Sequence, residues 1–120
     1  MVGPATEGRR IARGQVHWVD FGPSRGSEQA GRRPALVVQN NIGNRFSPNT
    51  IVAAMTTKVA EREYPTEVRL CDDVFGKPCV VLCSQLLTVA QDRLVGEPAA
   101  WLDEPTMARV DSALRLSLGL

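Results

Sequence analysis

The chain is poor in the residues that most small enzymes rely on. It has one histidine, His17, and three cysteines, Cys71, Cys79 and Cys83, among 120 residues. A catalytic pair of histidines is therefore excluded, and His17 is expected inside a strand or interface rather than at the chemistry. With no CxxC or HxxxH spacing, a structural or catalytic metal centre is not expected, and no cofactor is implied. An odd cysteine count in a chain with no apolar leader does not suggest a disulfide framework, and buried free thiols are the simpler expectation. Residues 1–13 lack the apolar core of a signal peptide, and no run is long enough to span a bilayer, so a cytoplasmic protein without a membrane partner is expected. Neither GxGxxG nor GxxxxGK[ST] is present, so a nucleotide-binding loop of those kinds is not indicated.

What the chain does contain is a set of short β-type runs. Gln15–Phe21, Ala35–Asn40, Thr50–Thr57, Thr66–Leu70, Cys79–Cys83 and Gln85–Ala90 are rich in Val, Leu, Thr and aromatic residues. Turn formers separate them, including Gly22-Pro23, Gly43-Asn44 and Gly76-Lys77-Pro78. This pattern predicts a barrel or sandwich. The end differs: Asp103-Glu104-Pro105 is a helix start, and Met107, Val110, Leu114 and Leu118 recur at helical spacing before Gly119. A mainly β fold with a C-terminal amphipathic helix is expected, as one domain over residues 13–120 behind a flexible tail at 1–12.

Net charge is only +1, but it is unevenly placed. Residues 1–62 hold nine basic and four acidic side chains, and residues 63–120 hold five and nine. Such asymmetry fits a polyanionic partner. Within the basic half, Gly22–Arg33 joins two expected strands with an unusually long, glycine-containing segment that carries Ser24, Arg25, Ser27, Glu28, Gln29, Arg32 and Arg33. Arg33 precedes Pro34, which restricts it to extended backbone, and its planar fork suits a phosphate. Thr56 closes an apolar strand beside Thr57 and Lys58, where a hydroxyl can serve as a backbone cap or as a ligand contact. Trp18, Phe21 and Phe46 are candidate stacking platforms, with core packing expected for Trp18.

Ordered along the chain, Arg13-Gly14, Val16-His17-Trp18-Val19-Asp20, Gly26-Ser27-Glu28-Gln29, Arg33-Pro34, Val37-Val38-Gln39-Asn40, Gly43 to Pro48 and Ile51 to Thr56 resemble the toxin family called MazF or PemK. Leu102-Asp103-Glu104, Met107, Val110-Asp111 and Leu114 to Leu118 continue the resemblance, which spans residues 13–120. It implies an SH3-like β-barrel with added helices, a homodimer, a MazE-like antitoxin partner, and sequence-specific, metal-independent cleavage of single-stranded RNA to 2′,3′-cyclic phosphate and 5′-hydroxyl ends. By matching positions it assigns Arg33 and Thr56 to catalysis, with Glu28 as a weaker candidate for the base. Arg25, Ser27, Gln29, Asn40 and Gln85 are the corresponding RNA-binding candidates. Where the family often has Glu-Gln-Ile-Arg, this chain has Ser84-Gln85-Leu86-Leu87, which bears on base recognition more than on catalysis. A CcdB-like toxin that poisons gyrase by binding it, and a noncatalytic RNA-binding barrel, are the competing readings, since fold alone does not decide function.

Overall fold

The computed structural model describes residues 10–22, 31–70 and 74–120. Six strands and two helices follow in the order β1 (Gln15–Asp20), β2 (Arg32–Val37), α1 (Asn41–Phe46), β3 (Asn49–Thr56), β4 (Glu67–Leu70), β5 (Cys79–Ala90), β6 (Leu94–Trp101) and α2 (Glu104–Leu118). The strands form one antiparallel sheet with the order β4-β5-β3-β2-β1-β6.

The closed SH3-like barrel implied by the resemblance is not observed. Among the described residues β4 and β6 are the two edges of an open sheet. β4 offers only four residues for pairing. β6 contains Pro98, which has no N–H to donate and is tolerated at an edge.

The apolar side chains divide into two clusters. Val16, Leu36, Ala53, Val81 and Cys83 join Val110 and Ala113 of α2 in the larger one. Val19, Ala35, Val37, Val52 and Leu94 form the smaller. Neighbouring positions on β2 and β3 thus feed opposite clusters, as strand alternation requires. The long strand β5 serves both because of a bulge. Ala54 pairs with Leu82 and Ala53 with Leu86, so Cys83, Ser84 and Gln85 are extra on β5. The side-chain parity inverts there: Cys79, Val81 and Cys83 enter the larger cluster, whereas Leu87 and Val89 pack on the smaller. The two runs expected at 79–83 and 85–90 are therefore halves of one bent strand.

Helix α2 forms where the sequence predicts it. Asp103 caps its first turn by accepting from the Thr106 N–H at 2.9 Å. Gly119 ends it in the left-handed conformation at φ 73°. Met107, Val110 and Leu114 face the larger cluster, joined by Ala113. Leu118, expected to continue the stripe, is 57% exposed.

Helix α1 and strand β6 were not expected. Asn40 caps α1 by accepting from the Gly43 N–H at 2.8 Å. A polar network then ties this short helix to β3. Buried Asn44 donates from Nδ2 to the Gln39 carbonyl and to Asn41 Oδ1, and its Oδ1 accepts from Gln39 Nε2 and Thr50 Oγ1 at 2.9 and 2.7 Å. All four hydrogen-bonding positions of that amide are used. A Cβ at Gly43 would lie 2.9 Å from Gln39 Cδ, so a larger residue there would push the Gln39 side chain out of this network.

Candidate functional site

Strands β1, β2 and β3 position the site. β2 pairs with β3 through Ala35–Ala54, Leu36–Ala53 and Val37–Val52. Arg33 and Thr56 each lie two residues beyond the last paired positions, Ala35 and Ala54, at the same end of the β2–β3 ladder. Both side chains line one open cleft of about 500 Å³. Arg33 is exposed and Thr56 half-buried. The cleft takes side chains of both parities, since Pro34 and Met55 also line it, so it lies across the strand ends rather than over one face of the sheet.

Thr56 Oγ1 accepts the Lys58 N–H at 3.0 Å. The backbone-capping role considered for this hydroxyl is thus real, and it is compatible with a second one. With a lone pair engaged by the N–H, the hydroxyl still has its own proton to give to an anionic oxygen. Arg32, Lys58 and Lys77 join Arg33 around the cleft, so four cationic side chains converge on it. Such a concentration of charge in a concave site attracts and orients phosphate. Lys77 was not singled out from sequence, whereas Arg32 was noted among the donors of the Gly22–Arg33 segment. Lys77 sits in the turn before β5, and only the pairing of β5 with β3 brings it near Thr56.

The other expected residues fall as follows. Arg25, Ser27, Glu28 and Gln29 lie outside the described residues. Asn40 is occupied as the cap of α1 and does not line the cleft. Gln85 is exposed on the β5 bulge and is likewise absent from the cleft lining. His17 is 1% exposed, with Nε2 at 2.8 Å from Gln15 Oε1. It borders a different cavity, of about 410 Å³, with Arg10, Glu97 and Trp101. Trp18, expected in the core, is 42% exposed and lines the Arg33–Thr56 cleft. Phe21 packs against the smaller apolar cluster, and Phe46 is exposed beneath the Arg45 guanidinium.

Cys79 and Cys83 are buried, and burial pushes the Cys83 thiol up to about 11, so it stays neutral. Among the described residues no group of three or more His, Cys, Asp or Glu side chains could hold a metal ion. Also among them, no helix is long and apolar enough to cross a membrane.

Comparison with known proteins agrees with the blocks read from the sequence. Residues 12–118 match the family described as PemK-like, MazF-like toxin of type II toxin-antitoxin system. The chain is 43% identical over 112 residues to Endoribonuclease EndoA of Bacillus subtilis (strain 168), covering 92% of this chain and 96% of that protein. Among solved structures it is similar to an endoribonuclease in complex with its cognate antitoxin from a mycobacterial species, with a TM-score of 0.75, 28% identity and coverage of 92% and 96%. A MazE–MazF crystal structure (Form-II) from Deinococcus radiodurans gives a TM-score of 0.75 at 28% identity, with coverage of 92% and 97%. The chain belongs to the PemK-like, MazF-like toxin family of type II toxin-antitoxin systems.

Proposed function

We propose that this protein is the toxin of a type II toxin–antitoxin pair and acts as an endoribonuclease on single-stranded RNA, working as a homodimer of 13–120 domains and silenced by a MazE-like antitoxin. The observation that carries this reading is the convergence of Arg33 and Thr56 on one cationic cleft. The family match and the curated endoribonuclease relative support it, and they favour it over the gyrase-binding alternative.

In this reading the RNA phosphate occupies the cleft. The ribose 2′-oxygen forms a bond to phosphorus as the bond to the 5′-oxygen breaks, giving a 2′,3′-cyclic phosphate and a 5′-hydroxyl. Charge gathers on the non-bridging oxygens in between. Arg33 binds two of those oxygens through its fork, and the Thr56 hydroxyl donates to one of them. A guanidinium is a permanent cation, so Arg33 suits charge stabilisation and donation toward the leaving oxygen, and it is a poor base. The 2′ proton needs an acceptor, for which Glu28, the carboxylate of the segment leading to Arg33, is the weaker candidate among the assigned residues. Held in this geometry, the reacting oxygen and phosphorus gain much of their rate from alignment.

The decisive experiment incubates the purified protein with a long unstructured RNA in excess EDTA. Cleavage with cyclic-phosphate ends is the expected result. Binding without cleavage would instead support a noncatalytic RNA-binding protein, and activity that returns only with a divalent ion would overturn the metal-independent mechanism.

A further inference from the structure

Trp18 is the only exposed position on β1. Pro34 is its cross-strand neighbour and lines the same cleft, and the Phe75 ring packs on the indole with its centroid 5.5 Å away at an interplanar angle of 56°. The ring is thus steadied by apolar neighbours, yet it remains 42% exposed beside four cationic side chains. Other exposed aromatics are placed differently. Arg45 lies 5.3 Å over Phe46, Arg62 lies 5.3 Å over Tyr64, and neither ring lines the cleft. A volume of about 500 Å³ is more than an isolated phosphate fills and falls within the ~300–1,000 Å³ typical of small-molecule sites.

An apolar ring held at fixed orientation next to phosphate-binding cations is the arrangement that recognises unpaired nucleotides, because every base offers a stacking face. We propose that Trp18, braced by Pro34 and Phe75, stacks on a nucleobase adjacent to the phosphate held by Arg33 and Thr56. This inference rests on the ribonuclease reading above. It adds a base-stacking residue that sets the register of the strand in the cleft, so that the correct phosphate meets Arg33. The bracing lowers the entropy lost when the base lands, since the ring is already oriented.

The test uses the full chain carrying Trp101→Phe, which leaves Trp18 as its single tryptophan. The probe is a short single-stranded RNA spanning a site the protein cuts in a long unstructured RNA, with the 2′-hydroxyl at the cut replaced by hydrogen. Companion probes lack one base at a time beside the cut. Binding of the intact probe should quench Trp18 emission. Removing one particular base should weaken binding about five- to 150-fold and abolish the quench. Trp18→Leu should lose the same factor on the intact probe and nothing further on the base-free one, whereas Trp18→Phe should recover most of it. Should the leucine variant fail to fold, the quench and the base-removal penalty in the parent still decide. Saturating RNA that leaves Trp18 emission unchanged would overturn the proposal, as would an equal base-removal penalty in Trp18→Leu and the parent. Arg33→Ala separates the two levels. If it neither weakens binding nor stops cutting, the cleft itself is misassigned; if it stops cutting while Trp18→Leu binds as tightly as the parent, stacking alone is refuted.

Discussion

Arg13 and Asp111, far apart in the chain, meet through Arg13 Nη2 and Asp111 Oδ1 at 2.5 Å, while Arg13 Nε donates to the Val38 carbonyl at 2.8 Å. One guanidinium thereby pins the middle of α2 to the segment that follows β2. The pair is about a third exposed on each side, so its Coulomb part is worth about 0–1 kcal/mol. Asp111→Ala should lower unfolding stability by no more than about 1 kcal/mol. Arg13→Ala also removes the bond to Val38 and should cost more. Urea unfolding of the two variants checks the order, and equal losses would show that the Val38 bond contributes nothing.

At the cleft, Arg33→Ala and Thr56→Ala should each reduce the cleavage rate by about 10²–10³, the usual effect of deleting one donor to a developing charge. Arg33→Lys should recover only part of the loss, because an ammonium lacks the two-pronged geometry. Single-turnover rates on a defined RNA measure this, with circular dichroism confirming the fold. A wild-type rate in Arg33→Ala would remove Arg33 from the mechanism.

Asn44 is predicted to matter for folding and not for chemistry. Asn44→Asp exchanges two buried donors for acceptors that face the Gln39 carbonyl and Asn41 Oδ1. Leaving such groups unsatisfied costs about 1–3 kcal/mol each. Chemical denaturation should show a marked loss of stability, while the folded fraction cleaves RNA at the normal rate. Unchanged stability would mean that the network around α1 is dispensable.

Acid should loosen α2 through Asp103. Hydrogen bonds from Thr106, first its side chain and then its backbone N–H, hold the Asp103 carboxyl below its ordinary value of 3.8. A carboxyl with a lowered folded-state pKa contributes stability above 3.8, and that contribution is lost as pH falls through the folded value. Asp103→Asn keeps an acceptor for Thr106 without titrating. The melting temperature of the parent should therefore fall relative to this variant as pH drops below 3.8, and a gap that stays constant with pH would refute the role.

Arg33 and Thr56 were singled out by matching positions of the family resemblance, and the structure brings both to one cleft. Helix α2 was legible in the sequence because local signals marked it, a helix start with apolar residues at helical spacing. β6 was not, since Gly96, Glu97 and Pro98 interrupt any alternation, and its pairing with β1 skips from Val95 to Ala100. Helix α1 was hidden by Gly43-Asn44, which reads as a turn until the buried side-chain network is seen. Trp18 misled for a physical reason. It has the parity of Val16, a core residue, but near the end of β1 the cover over that face gives way to the cleft. Lys77 was linked to the cleft only by strand pairing, because nothing local distinguishes a cleft cation from a solvated one.

The two edges of the open sheet have a bearing on solubility. Unpaired strand edges invite other chains to add to them. Here β6 breaks its own ladder with Gly96 at φ 67° and the donor-less Pro98, and it presents the charge of Glu97. β4 is short and displays Glu67 and Arg69. Among the described residues, neither edge offers the long, flat, apolar template on which cross-β growth is seeded.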